Sequence, residues 1–370
     1  MTTRRNRITT LAALAILFGL SAASCEKKIA YDRPGPFTFV VEITDGDVGS
    51  VEDPVPFSHD PVEYTLRATA MDKDGNVDTS FNGTVHLRIQ PRGEFPPTQE
   101  DEFQAVDGIA EGMVVGIRDL HSTATIWVED LGTDEAPGSY ATGLSPVMTA
   151  RNPTLRNIQE VDENAYATSA LRGEFVEVDL EGRVGVVTGV QNDGFYMTDV
   201  SEDGFMYSSM YVYSHNHPDV LPGDQIVQLN GTVDEFYGFT ELGYPSWRVS
   251  GTTDVPEPVQ ITSALVDDND AMEQYESGFV EVTGVTVCPA GDDYNTYGQW
   301  AVVIDPAASC SGDTGKINVV STYTIPDFYP PEHAGEVLPS VKGNLRYHAG
   351  ADPSWIIYTR FDGDITESGS

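Results

Sequence analysis

The sequence predicts an all-β chain, a β-sandwich followed by two small barrels. Three observations predict it. Short alternating apolar/polar runs recur along most of the chain, each closed by Gly, Pro, Asn or Asp. One stretch, residues 180–242, packs such runs so closely that it reads as a small, highly curved barrel. Phrases from this part of the chain then return nearer the C-terminus.

Composition sets the bounds. A length of 370 residues suggests two or three domains, and 40% apolar content supplies real cores. The net charge is −38; the first 24 residues hold Arg4, Arg5 and Arg7 and no acid, so without them the balance is 17 basic against 58 acidic residues, or −41. Such a surface repels nucleic acid and anionic lipid and favours solubility and divalent cations.

The elements follow in order. Arg4, Arg5 and Arg7 form a charged leader segment, and residues 11–20 an apolar one too short to span a bilayer. The Ala22-Ala23-Ser24 run before Cys25 resembles a bacterial lipobox, with Ala22 where leucine is usual. This implies residues 1–24 as a signal peptide and lipidation of Cys25; an ordinary signal peptide, an uncleaved anchor and twin-arginine export are the alternatives. Two or more acyl chains would attach the chain stably to a membrane. In lipoproteins of this kind Asp after the cysteine often marks inner-membrane retention, so Glu26 points to the outer membrane, facing the periplasm or the cell surface. Residues 25–36 are a tether.

Residues 37–150 carry six or seven short strands with no helical period, which suggests a sandwich. Asp72–Asn76 reads as a hairpin-type turn, and Trp127 is expected in the core. The run from Ala68 to Ile89 resembles bacterial Ig-like repeats, which makes the expected sandwich Ig-like. Residues 151–171 form a linker with one helical turn, 172–254 the first barrel, 255–276 a helical connector and 277–367 the second barrel. Three phrases support the repeat: Phe175-Val-Glu-Val with Phe279-Val-Glu-Val, Leu229-Asn-Gly with Val341-Lys-Gly, and Ser246-Trp247 with Ser354-Trp355. One larger β-domain is the alternative. If Cys25 carries lipid, Cys288 and Cys310 remain, either as a disulfide in an oxidising compartment or as two buried thiols.

A family resemblance enters at the first barrel. The pattern runs through Gly182, Val184, Val187, Gly194-Phe-Tyr196, Asp199, Tyr211-Val-Tyr213, Pro222-Gly-Asp224, Leu229, Gly231, Val233, Glu235-Phe-Tyr-Gly238 and Thr240-Glu-Leu242. It resembles the OB-fold module of bacterial extracellular nucleases of the YhcR and ExeM kind. It also resembles tandem OB-like modules of lipoproteins in predatory and gliding Gram-negative bacteria. The match covers under a quarter of the chain, and the nuclease domain is not part of it. It implies two tandem OB-like β-barrels.

OB-folds hold single strands by stacking bases on aromatics in a basic groove. The aromatics are here: Tyr207, Tyr211 and Tyr213 fall on one strand face by parity, with Phe236 and Tyr237 nearby in the pattern. They are the candidate ligand-binding residues, against core or interdomain packing as the plainer reading. Residues 172–254 hold three arginines against 14 acids, and residues 277–367 hold four cations against 12. Those balances oppose phosphate binding, so nucleic acid is not the expected partner. For metal, Asp267, Asp268 and Asp270 offer clustered oxygens for calcium, as do Asp45 with Asp47, Asp72 with Asp74, and Asp292 with Asp293. Turn chemistry explains such residues equally well. His215-Asn-His217-Pro-Asp219 is a further metal candidate, weighed against a solvated turn. No G-x-S-x-G, H-E-x-x-H or P-loop pattern occurs, so no catalytic residue is nominated. The expectation is a non-enzymatic, membrane-anchored lipoprotein acting as a binding or structural module of the cell envelope, with an envelope protein or glycan as partner. The alternative is an accessory that binds nucleic acid or polysaccharide beside extracellular hydrolases, with calcium as the one cofactor considered.

Overall fold

The structure is a computed structural model that describes residues 37–132, 138–161, 168–201, 203–305, 308–312, 314–350 and 353–367. The leader, Cys25 and the tether lie outside the described residues.

The first unit runs through β1 (Phe37–Asp45), β2 (Val62–Met71), β3 (Thr84–Gln90), β4 (Glu102–Gln104), β5 (Ile109–Ile117), β6 (Ser122–Asp130), β7 (Tyr140–Ala141), β8 (Gly143–Leu144) and β9 (Met148–Ala150). One sheet is ordered β5-β2-β1-β7, the other β4-β3-β6-β8 with β9 also on β6. Alternation in β2 sends Tyr64, Leu66, Ala68 and Ala70 inward. They meet Val85 and Leu87 of β3 and Ile126 and Val128 of β6 in one core. The Asp72 turn forms, with the Asp72 carboxylate accepting from the backbone of Asp74 and Asn76. It does not make a hairpin of β2 and β3, which lie in different sheets. Trp127 is also corrected. Its neighbours Ile126 and Val128 are in the core, so strand parity turns Trp127 outward, where it is 37% exposed.

The expected linker is part of the first barrel. Thr154 caps α1 (Leu155–Gln159) in a capping box with Asn157. Leu155 and Ile158 sit in the barrel core, joined there by Phe57 from the sandwich side. His59 fixes this joint: Nδ1 lies 2.5 Å from an Asp119 carboxylate oxygen and Nε2 lies 2.9 Å from the Asn157 carbonyl. Two acceptors require two donated protons, so His59 is an imidazolium here. Burial, the largest single effect, lowers its pKa, but Asp119, the Asn157 carbonyl and Glu160 together outweigh that and raise it.

The first barrel comprises β10 (Phe175–Glu177), β11 (Gly185–Val190), β12 (Gly194–Asp199), β13 (Ser209–Tyr213), β14 (Asp224–Glu235) and β15 (Thr240–Thr252). It closes as β14-β11-β12-β13-β15-β14, with β10 beside β14 and with β13 parallel to β15. After β16 (Val259–Gln260), α2 (Ser263–Val266) and α3 (Asn269–Glu273), the second barrel follows. Its strands are β17 (Phe279–Val287), β18 (Gln299–Val303), β19 (Lys316–Val320), β20 (Val337–His348) and β21 (Ser354–Tyr358), with α4 (Asp292–Tyr297) before β18 and β22 (Ile365–Thr366) at the end. It closes as β20-β17-β18-β19-β21-β20, again with a parallel third and fifth strand. Two closed five-stranded, OB-like barrels therefore stand in tandem.

Register proves two of the three repeat phrases. Phe175, Val176 and Glu177 pair with Thr232, Gly231 and Asn230, and Phe279, Val280 and Glu281 pair with Asn344, Gly343 and Lys342. The shared glycine has a steric reason: a Cβ on Gly343 would lie 2.2 Å from the Tyr358 carbonyl oxygen, and one on Gly231 2.9 Å from that of Gly243. The Ser-Trp phrase is corrected. Trp355 pairs with Tyr347 near the start of its strand, whereas Trp247 pairs with Leu229 well along β15. Cys288 and Cys310 form a disulfide with Cα atoms 5.4 Å apart, which ties the end of β17 to the loop between β18 and β19.

Candidate functional site at the barrel seam

The seam between the barrels arises from strand parity. In β12 every residue of Gly194–Asp199 is buried. Phe195 and Met197 fill the barrel core, while Tyr196 belongs to a separate cluster with Tyr211 and Phe239. A strand buried on both faces has something packed outside it, and here that is the second barrel. In β20, Leu345 and Tyr347 enter their own core, so Asn344 and Arg346 face across.

The crossing contacts are specific. Asn344 donates to the Thr188 hydroxyl at 2.9 Å, and Arg360 donates to the Thr188 carbonyl at 2.9 Å. Arg360 is also held by Asp364 at 2.8 Å. Gly189 is needed beside them, since a Cβ there would lie 2.1 Å from the Asn344 side-chain oxygen. The Arg346 guanidinium lies 4.5 Å from the Phe239 ring centre and within 6 Å of Tyr211, Phe236 and Tyr358.

Acids from the first barrel and from the connector meet at this seam. Glu276, 2% exposed, accepts from the Thr240 backbone N–H at 3.0 Å through one oxygen; its other oxygen has no partner. Burial pushes its pKa well up, helped by Glu273. Burial likewise pushes Glu241 and Glu273 up to about 7. Glu235 accepts from the Ser169 backbone and from the Thr240 hydroxyl, and burial raises it too. Burial thus shifts all four carboxyls toward their neutral form, which lessens the buried negative charge of the seam.

The nominated ligand residues separate. Tyr207 is corrected: it precedes β13, has φ 56°, and its backbone N–H donates to Gln274 of the connector. Tyr211 is buried, and its hydroxyl donates to Asp193 at 2.7 Å. Burial together with Asp193 raises its pKa. Phe236 and Tyr237 form the exposed tip of the β14–β15 hairpin. The Tyr237 ring nevertheless lies 5.0 Å from His348, and its carbonyl accepts from Ala349 across the seam. Tyr213 is half-buried and leads out of the seam to His215, at 4.3 Å between ring centres, and on to Tyr244, 4.9 Å further. Tyr244 and Glu241 were missed as site residues; Glu241 was quoted only as part of a motif, and Tyr244 sits between Gly243 and Pro245 with no pattern to mark it.

The nominated metal residues are found as follows. Asp267 accepts from the Gly315 backbone, and Asp268 caps α3 through Ala271. Asp270 lies in the first turn of α3. Asp267 and Asp268 serve backbone N–H groups, and among the described residues no group of three His, Cys, Asp or Glu side chains could hold a metal ion. His217 turns onto the carbonyl of Pro218, and His215 stacks between two tyrosines.

No protein-family model matches the chain, and no curated protein matches it. Among solved structures, it is similar to dimeric latent PorU from Porphyromonas gingivalis, with 10% identity and a TM-score of 0.20 over 87% of this chain and 34% of that one. The chain thus spans about a third of that structure's length, and a likeness this slight carries no functional argument.

Proposed function

We propose that this chain is a non-catalytic binding module, held at the outer membrane by lipid on Cys25 and facing the periplasm or the cell surface. The observation that carries the non-catalytic reading is where the perturbed acids lie. Shifted carboxyl pKa values often mark active sites. Here Glu241, Glu273 and Glu276 are buried between two barrels, and Glu276 is occupied by the Thr240 backbone. They lie where domains join, and of the four raised acids Glu235 borders an open pocket, with Arg172, Tyr237 and Tyr347. The binding reading is supported by the aromatic rings that leave the seam for solvent at Tyr213, His215 and Tyr244. The disulfide agrees with an oxidising compartment. No helix among the described residues is long and apolar enough to cross a membrane. The partner is an envelope protein or a glycan.

Cell fractionation tests this. The wild-type chain should sediment with outer membranes and take up a labelled fatty acid, while Cys25→Ser should do neither. A Cys25→Ser chain that stays membrane-bound refutes the anchorage. Hydrolysis of any polymer that Glu241→Gln abolishes refutes the non-catalytic reading.

A further inference from the structure

We propose that Tyr213, His215 and Tyr244 form a stacking ledge for a saccharide chain that is uncharged or bears amines. The inference rests on the reading of the chain as a binding module and gives that module a ligand class.

The ledge is built against backbone preference. His215 and Tyr244 adopt φ values of 62° and 49°, a region uncommon for residues other than glycine, which histidine enters more readily than tyrosine. Strained residues of this kind persist where the surroundings hold them, and they concentrate at functional sites. Their effect is to bring two rings from different segments side by side. Tyr244 projects from β15 with 78% of its surface exposed, more than Tyr237 at 56% or Phe236 at 50% on the hairpin tip of the same barrel, while Phe195, Tyr196 and Phe239 are fully buried. Neither ring nitrogen of His215 meets a hydrogen-bond partner among the described residues, so both can serve a ligand hydroxyl.

Geometry and charge select the ligand. The rings are tilted by 54° and 45° to one another, giving a stepped surface with single open faces and no parallel slot to sandwich a flat base. The apolar C–H face of a pyranose sits well on one aromatic face, whose π-cloud is negative. Hydroxyls around its edge would find His215 and, next to Tyr213, Asp193, whose backbone oxygen holds Ser214 and whose carboxylate takes the Tyr211 hydroxyl. Arg346 lies below this surface among Phe239, Phe236, Tyr211 and Tyr358. With three arginines against 14 acids over residues 172–254, the barrel repels phosphate, sulfate and carboxylate polymers and tolerates amines.

The test titrates the purified full chain in detergent, by calorimetry, with the hexasaccharides of chitin, chitosan, cellulose and laminarin, and with heparin hexasaccharide and dodecathymidylate. Binding of at least one of the first four is expected, with no heat from the last two. Tyr244→Asn and His215→Asn remove the rings but keep a residue that tolerates positive φ. Each should weaken binding by about tenfold, the scale of one lost stacking contact, with an unchanged melting temperature. Three results overturn the proposal: none of the four binds, binding survives both substitutions undiminished, or dodecathymidylate binds and is lost with Tyr244. A chain that fractionates with the outer membrane yet binds none of the four would sink this inference alone and leave the anchored module standing.

Discussion

Replacing Glu241 with Gln should stabilise the chain above neutral pH and leave it unchanged in acid. Glu241 stands on β15 with its side chain in the seam. Burial lifts its carboxyl from 4.5 to about 7; Arg346 opposes this, and Asp234, Asp193 and Glu235 reinforce it. Between those two values the folded chain keeps a proton that the unfolded chain has released. Since the native state then binds more protons, stability falls as pH rises through the window and levels off above it. A window of about 2.5 pH units is worth roughly 3 kcal/mol at about 1.4 kcal/mol each. Gln has the same size and no charge to desolvate. The gap between variant and wild type should be near zero at pH 4.5 and approach ~3 kcal/mol in favour of the variant at pH 8. Urea unfolding at fixed ionic strength, repeated across that range, measures it. The subtraction also removes His59, whose raised pKa contributes stability that is complete below 6.5 and lost as pH climbs through the folded value. A gap that does not change with pH, or that opens in favour of the wild type, refutes the assignment of a neutral buried Glu241.

Gly189→Val should part the barrels, because its Cβ would lie 2.1 Å from the Asn344 side-chain oxygen. A loss of about 2 kcal/mol and faster proteolysis within residues 255–276 are expected, while Gly251→Ala, where a Cβ makes only an ordinary 3.5 Å contact with the end of the Gln225 side chain, should change neither. Asp268→Ala should cost about 1 kcal/mol as a lost helix cap. Calcium against chelator should leave the melting temperature of wild type and Asp268→Ala alike; a calcium-induced rise that Asp268→Ala removes would restore the metal reading.

The strands and both barrels were legible because their signals are local. Period-two alternation wrote β2, and the Phe-Val-Glu and x-Gly-x phrases wrote β10 with β14 and β17 with β20, where the register has them face to face. The same alternation held the answer for Trp127, which sits between two apolar neighbours and so had to point away from them. Aromatic size argued for the core and strand parity argued for solvent, and parity won. The aspartates were ambiguous in principle: a helix cap and a calcium ligand both require a short side-chain oxygen next to a turn. Only the partners decide, and Asp268 has Ala271. The seam was not legible, because a residue facing another barrel and one facing water occupy the same parity. Tyr196 and Tyr211 look alike in either case, and Glu276 in a polar connector gives no sign that it is buried.

The chemistry of that seam bears on what the joint does. Apolar residues of similar size would hold two barrels together at least as firmly, since burying acids costs free energy that pairing seldom recovers in full. Polar partners instead impose direction. Glu276 needs the Thr240 N–H, Asn344 needs the Thr188 hydroxyl, and Arg360 needs the Thr188 carbonyl. Slipping or rotating one barrel would leave several of these groups buried and unpaired, at about 1–3 kcal/mol each. A greasy seam would have many arrangements of similar energy, whereas this one has few. Glu276 thus fixes how the connector meets the first barrel, and Asn344 and Arg360 fix how the second barrel meets it.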